Sequence, residues 1–248
     1  EGLRMKSIHL RKLLAVMEVK SKTLLDKTYI IMPLFSIGFA LLMRFMSSVY
    51  MESGKMSPST LANCVIMNIC MCSIFCVAGS LAEEKEKHTL RVLMTSSVNG
   101  MEFYFGSVLP VLMESIVVNT LLPFITGLSM TVIQWGCYLL LTTLSSLIGT
   151  IVGMLIGIYS KDQMNASIIT TPFMLVLLLL PMLNGIHPIL DTISSLTFTG
   201  VIMDFANQIS INAHPFQINS IIILIVEIII ATVLFLVLYK KNGFEAND

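Results

Sequence analysis

The sequence predicts an all-α integral membrane protein with six transmembrane helices. An N-terminal amphipathic interface helix and short re-entrant or interfacial helices before the last span complete the predicted fold. The first observation behind this prediction is composition: of 248 residues, 55% are hydrophobic and 12% are charged, whereas soluble domains carry about 25% charged residues. The mean hydropathy is +0.86. One soluble core of this size could not bury so much apolar surface, so lipid must surround much of the chain.

The second observation is a set of six apolar segments of membrane-spanning length. Each has about the 20 residues needed to cross a hydrocarbon core of about 30 Å. The predicted spans are 29–50, 61–81, 103–126, 135–159, 164–183 and 218–239. Barrel strands would alternate apolar and polar residues over about ten residues, which these segments do not do, so helices are predicted. The chain thereby divides into an N-terminal segment (1–28), a six-helix transmembrane domain (29–239) and a tail (240–248).

The third observation is the distribution of Lys and Arg. Seven of these residues precede the first span, three lie between the second and third, one lies between the fourth and fifth, and two follow the sixth, which makes 13 of 15. Of the other two, Lys55 falls on the opposite side and Arg44 within the first span. The positive-inside rule therefore predicts that both termini are cytoplasmic.

The N-terminal segment from about Met5 to Leu25 combines basic residues with apolar residues at helical spacing. The apolar positions are Leu10, Leu13, Leu14, Met17 and Leu24. This pattern predicts an amphipathic helix along the inner membrane surface. A solvated, poorly ordered leader with basic anchoring charges is the alternative.

The external segment 184–217, before the last span, is long and contains no Lys or Arg. It is too short and too polar for two further spans, and loops of this length are usually structured or functional. We expect short re-entrant or interfacial helices here, because irregular backbone within the membrane needs protein or water to satisfy it. An ordinary surface loop is the alternative.

Three ionisable residues lie inside predicted spans: Arg44, Glu114 and Glu227. A charge near the bilayer centre costs several kcal/mol unless it is paired or hydrated, so these side chains should face protein or a cavity. One hypothesis pairs a carboxylate with Arg44, and another places a carboxylate on the cargo path. A buried pair that only holds helices together is the structural alternative.

Small residues are predicted to serve helix packing. Gly149, Gly153 and Gly157 form two overlapping Gly-x-x-x-Gly steps in the fourth span, which permit close helix contact within one subunit or across a dimer. Four cysteines fall in the second span and Cys137 begins the fourth. Their spacing matches neither a zinc site nor a redox motif, so we expect them to pack as small apolar residues.

The segment 83–97 after the second span has the most specific pattern. A charged cluster passes into a short amphipathic stretch, in which Leu90, Leu93 and Met94 share one face and Thr89 or Ser97 provides helix punctuation. Apolar residues flanked by both signs of charge suit docking to a soluble partner, and a charged surface loop is the alternative.

The order Glu-Glu-Lys-Glu-Lys-x-Thr-Leu-x-x-Leu-x-x-Ser-x-Val over residues 83–98 resembles the signature of the type-2 ABC-transporter permease family. This chain has Ser96-Ser97 where Ser-Pro is common in the family, a small departure from the pattern. The resemblance extends to the basic leader, the six spans and the long external segment. It implies the transmembrane subunit of a bacterial ABC exporter in the plasma membrane, with two permease subunits, identical or paralogous, paired with two ATPase subunits.

The resemblance also implies roles for individual residues. Residues 83–97 would form a coupling helix seated in a cleft of the ATPase, and the interface helix would provide a second contact. The predicted coupling residues are Glu83, Glu84, Lys85, Glu86, Lys87, Thr89, Leu90, Leu93 and Met94. ATP and Mg would be bound by the ATPase and not by this chain.

Nucleotide binding by this chain is not expected from its own residues. The dipeptide Gly54-Lys55 is followed by Met56, so it does not complete a phosphate-binding loop. No catalytic triad or metal-binding His-Glu-x-x-His order is present, so we do not expect catalysis by this chain. The alternative function is a non-transporting membrane protein, either an intramembrane enzyme or a scaffold. An amphipathic or hydrophobic cargo, such as an antimicrobial peptide or a lipophilic drug, is expected from the small size and the apolar lining.

Overall fold

The computed structural model describes residues 9–50, 56–88, 100–211 and 218–241, and every regular element in these ranges is a helix. Six helices are long and apolar enough to cross a membrane. They are Lys27–Tyr50, Pro58–Glu86, Gly100–Thr126, Val132–Tyr159, Gln163–Leu179 with a 3₁₀ extension Leu180–Leu183, and Ile218–Lys241. The predicted all-α membrane fold with six spans is confirmed. The second span is longer than predicted, because its helix continues through the charged residues up to Glu86.

The ends of the spans define two sides of the protein. Glu86, the last helical residue of the second span, lies beside Gln163, which begins the fifth, and near the end of the fourth. We name this the motif side. The opposite side, which carries residues 184–211, is the hairpin side.

The second span is the central helix of the bundle, because 83% of its apolar stretch is buried against the other helices. Its middle is a π-helix, Ile69–Phe75, between the α-helices Pro58–Asn68 and Cys76–Glu86. The backbone N–H of Cys76 bonds to the carbonyl of Met71, five residues earlier. The sequence analysis did not predict this insertion, which locally widens the helix. Cys64, Cys70, Cys72 and Cys76 are fully buried along this span as free thiols.

The interface helix, Leu10–Leu24, packs on the motif-side end of the third span. Its contact face is the i, i+4, i+8 stripe Val16, Lys20 and Leu24, whereas Leu10 and Leu14 are 70% and 53% exposed. The predicted helix is present, and Leu10 and Leu14 of its predicted apolar face are not part of this contact. The approach is close because the third span presents a glycine: a Cβ at Gly106 would lie 2.6 Å from a methyl carbon of Val16.

Two helices of the segment predicted to be external, named here the external helices, are Pro188–Ser195 and Phe198–Ser210, and they form a hairpin bent by 97° before the sixth span. Phe198, the first residue of the second external helix, has its backbone N–H beside the carboxylate of Glu227 in the sixth span. Glu227 is nine residues beyond Ile218, or about 14 Å along the helix. The hairpin turn therefore reaches well inside the depth of the spans, as expected for re-entrant helices.

Candidate coupling site at the end of the second span

Four consecutive residues at the motif-side end of the second span contact four different helices. Glu83 contacts the first span, Glu84 the interface helix, Lys85 the end of the fourth span and Glu86 the start of the fifth. We name these four residues and their partners the four-helix junction. The contacts of this helix end therefore link the second span to four other helices.

Glu84 accepts a hydrogen bond from Nζ of Lys20 at 2.6 Å, and the two side chains are 12% and 6% exposed. The ammonium group also lies 5.1 Å from the centroid of the Phe103 ring. Burial lowers the pKa of Lys20, and the neighbouring carboxylate of Glu84 opposes this shift. Such a pair contributes little net free energy, but loss of either partner leaves a buried charge uncompensated. The contact therefore fixes the position of the interface helix more than it adds stability.

Glu83 is bonded on both sides. The hydroxyl of Tyr29 donates to its carboxylate at 2.6 Å, and Lys87, one helical turn later, forms an ion pair with it at 2.5 Å. The Tyr29 oxygen also accepts a hydrogen bond from the side-chain amide of Gln163 at 3.3 Å. The first, second and fifth spans are thus joined by one chain of hydrogen bonds.

Lys85 and Glu86 bind the ends of the neighbouring helices. Nζ of Lys85 donates to the carbonyls of Ile158 and Ser160, at 2.7 and 2.9 Å, where the fourth span ends. The carboxylate of Glu86 accepts the backbone N–H of Gln163, the first residue of the fifth span, at 3.2 Å. A cation at a helix C-terminus and an anion at a helix N-terminus each complement the helix dipole. The alternation of charge in the motif therefore matches the polarity of the two helix ends that it contacts.

The predicted coupling residues fall into two groups. Glu83, Glu84, Lys85 and Glu86 make the internal contacts above, and Lys87 is exposed on the surface next to them. Thr89, Leu90, Leu93 and Met94 lie outside the described residues. The helix of the second span ends at Glu86, and His88, two residues later, has a φ of 57° in the left-handed region that is common after helix ends.

The sequence analysis missed the partners of the motif, namely Lys20, Tyr29 and Gln163. Lys20 is one of the seven basic residues that precede the first predicted span, yet it is 5% exposed. One signal was available: the position of Lys20 on the Val16–Leu24 stripe, between two apolar residues, indicates an inward direction.

A second group of polar side chains lies in the middle of the bundle. The Asn68 amide donates to the Asn119 side chain at 2.9 Å, and the Asn119 amide donates to Ser146 at 3.1 Å. Ser73 and Ser115 are hydrogen-bonded at 2.8 Å. These contacts join the second, third and fourth spans beside the π-helix, and their partners are fully buried or nearly so.

The three intramembrane ionisable residues are separated by the structure. The guanidinium of Arg44 donates to the carbonyl of Ile125, at 2.5 Å, near the end of the third span. Among the described residues, neither Glu114 nor Glu227 is ion-paired with it. The hypothesis of a carboxylate paired with Arg44 is therefore wrong. A carbonyl at a helix end can replace a carboxylate as the partner of a cation.

The glycine stripe of the fourth span packs within the subunit. A Cβ at Gly153 would lie 2.6 Å from the carbonyl oxygen of Ile74, and one at Gly157 would lie 2.9 Å from Cβ of Leu81. A Cβ at Gly149 would lie 2.8 Å from a methyl carbon of Ile69. The partner of all three glycines is the second span, so the stripe brings the fourth span against the π-helix and the helix that ends in the motif.

The described residues thus form a six-span helical membrane protein with a helical hairpin on one side and a charged junction on the other. The family model described as "ABC-2 family transporter protein" matches residues 47–237. The chain belongs to this family. It is the transmembrane subunit of an ABC transporter and is not itself the enzyme, because ATP is hydrolysed by a separate ABC ATPase subunit. Comparison with curated proteins finds no match.

Proposed function

We propose that this chain is the permease of an ATP-driven exporter that moves an amphipathic or hydrophobic cargo outward, with the four-helix junction as its coupling element. The observation that carries this proposal is that one short helix end contacts the interface helix and the first, fourth and fifth spans. An ATPase that moves this end would move those four helices together.

The proposed assembly has two permease subunits, as a homodimer or with a paralogue, and two ATPase subunits that bind ATP and Mg. The proposed location is a bacterial plasma membrane with both termini in the cytoplasm, so that the motif side faces the ATPase. The distribution of Lys and Arg supports this orientation. Small size and apolar spans support a peptide, antimicrobial or drug cargo, and roles in peptide export or antimicrobial resistance follow from it.

Transport direction is tested with membrane vesicles that contain the permease and its ATPase. We expect ATP-dependent accumulation of a fluorescent amphipathic peptide or lipophilic drug in inside-out vesicles. Accumulation only in right-side-out vesicles would show import, and a panel of such compounds with no ATP-dependent movement would contradict the proposed cargo class.

Coupling is tested by comparing two lysines that differ in their contacts. In Lys85→Met, the carbonyls that end the fourth span lose their cation. We expect cargo-stimulated ATP hydrolysis to fall severalfold while the complex still assembles. Lys161→Met is the matched control, because Lys161 follows the same end of the fourth span but its side chain is exposed. Equal effects of the two substitutions would contradict a role for the junction.

A further inference from the structure

Glu114, like Glu227, is a carboxylate inside a span with a buried oxygen that no described residue satisfies. It is the thirteenth residue of the spanning stretch Glu102–Thr126, so it lies at about mid-depth. One carboxylate oxygen is buried and makes no hydrogen bond with any described residue. Arg44, by contrast, is bonded to a helix end, and the Glu227 carboxylate lies beside the N–H of Phe198.

The neighbours of Glu114 are cysteine thiols on one side and apolar side chains on the other. Its carboxylate lies near the thiols of Cys72, in the middle of the π-helix, and Cys76, directly after the π-helix. Both cysteines are fully buried. On the other flank, Met113 and Val117 are 57% and 59% exposed, and Glu114 itself is half-buried. Glu114 therefore lies at the boundary between the protein interior and the exposed face of the third span, which is the face that a ligand from the lipid would contact.

The chemistry of this position selects a particular charge. In a medium of effective dielectric constant about 20, a carboxylate attracts a cation about four times as strongly as in water at the same separation. An anion would be repelled, and a neutral amphiphile would leave the carboxylate unpaired. A charged group at this depth also has a cost that natural sequences rarely accept without a function.

We propose that Glu114 is the cation-recognition residue of the permease and that the cargo is a lipophilic organic cation or an amphipathic molecule with a cationic group. This inference rests on the proposed function, because it assigns the charge of the same cargo. It also predicts that Glu227, next to the N-terminus of the second external helix, does not contact the cationic group.

Carbodiimide labelling of the full-length chain in lipid nanodiscs tests the site without the ATPase. Dicyclohexylcarbodiimide partitions into lipid and modifies carboxyl groups there, and mass spectrometry reports Glu114 and Glu227 separately. At ten times its half-protecting concentration, tetraphenylphosphonium is expected to lower modification of Glu114 to about a tenth. Tetraphenylborate, of similar size and opposite charge, is expected to give no protection. Glu227 is the internal control and should be labelled equally with either ion.

Equal protection by the two ions, no protection by the cation, or the same protection at Glu227 would each overturn the inference. A second measurement uses E114Q, which is expected to bind tetraphenylphosphonium roughly tenfold more weakly, while E227Q binds as the wild type does. The two proposals fail separately. Equal transport of neutral and cationic amphiphiles in vesicles would support the proposed exporter and contradict the role of Glu114. Charge-selective protection of Glu114 without ATP-driven movement would support that role and contradict the exporter.

Discussion

Lys20→Met tests whether the buried contact with Glu84 holds the interface helix on the bundle. The substitution keeps an unbranched side chain of nearly the same length but removes the ammonium group, and with it the ion pair with Glu84 and the cation–π contact with Phe103. Because the Glu84 side chain is only 12% exposed, its carboxylate would lose a buried ionic partner. Breaking such a pair from one side costs about 3–5 kcal/mol. We assign this cost to local detachment of residues 10–24 and not to unfolding of the spans.

Hydrogen–deuterium exchange of the protein in nanodiscs measures this detachment. A loss of about 3 kcal/mol corresponds to roughly a hundredfold faster exchange of the amides in the interface helix, because each 1.4 kcal/mol is a factor of ten. Lys22→Met is the matched control. Lys22 and Glu18 also form an ion pair in this helix, but their side chains are 73% and 68% exposed. Exposed i, i+4 pairs contribute about 0.3–0.5 kcal/mol, so exchange should change about twofold.

The charge-reversed double variant K20E/E84K should recover part of the lost protection. If Lys20→Met and Lys22→Met accelerate exchange equally, the buried pair does not hold the interface helix. If the loss of protection in the double variant equals the sum of the losses in K20E and E84K, the two side chains do not interact.

Three further predictions concern the spans. Gly153→Ala places a methyl group 2.6 Å from the Ile74 carbonyl and should cost about 1–3 kcal/mol, whereas Gly136→Ala in the same span meets nothing within 4 Å; equal melting temperatures in detergent would contradict the packing. Arg44→Gln should weaken the end of the third span by about 1 kcal/mol. Its effect should add to that of E114Q or E227Q within about 0.5 kcal/mol. Coupling well above this value in a double-mutant cycle would support an ion pair between Arg44 and that carboxylate. Asn119→Leu leaves Asn68 and Ser146 without their partner and should cost about 1–3 kcal/mol in thermal unfolding; a neutral result would mean that the buried network carries no stability.

Much of the candidate site was predictable as residue types but not as contacts. Position and charge order predicted a docking segment over 83–97, after the second span, whereas the structure places residues 83–86 at the end of the helix of that span. The contacts of that end could not be predicted because their partners are far along the chain: Lys20 is 64 residues from Glu84, and Gln163 is 77 residues from Glu86. Local pattern gives the direction of a side chain on its own helix, but it does not give the helix that packs there. Arg44 shows the same limit, since its partner is a backbone carbonyl, which every residue has.

The sequence by itself determined the number of spans and the membrane fold, because the thickness of the bilayer requires an apolar run of fixed length and each run is visible in isolation. It also predicted a partly embedded external segment. Only the tertiary structure decided which face of the interface helix is buried, where the π-helix lies, and that four motif residues connect four helices. Those features depend on helix packing, and the same six apolar segments allow many packing arrangements. The observed arrangement is determined by specific contacts, namely those of the glycine stripe, the buried amides and the helix termini.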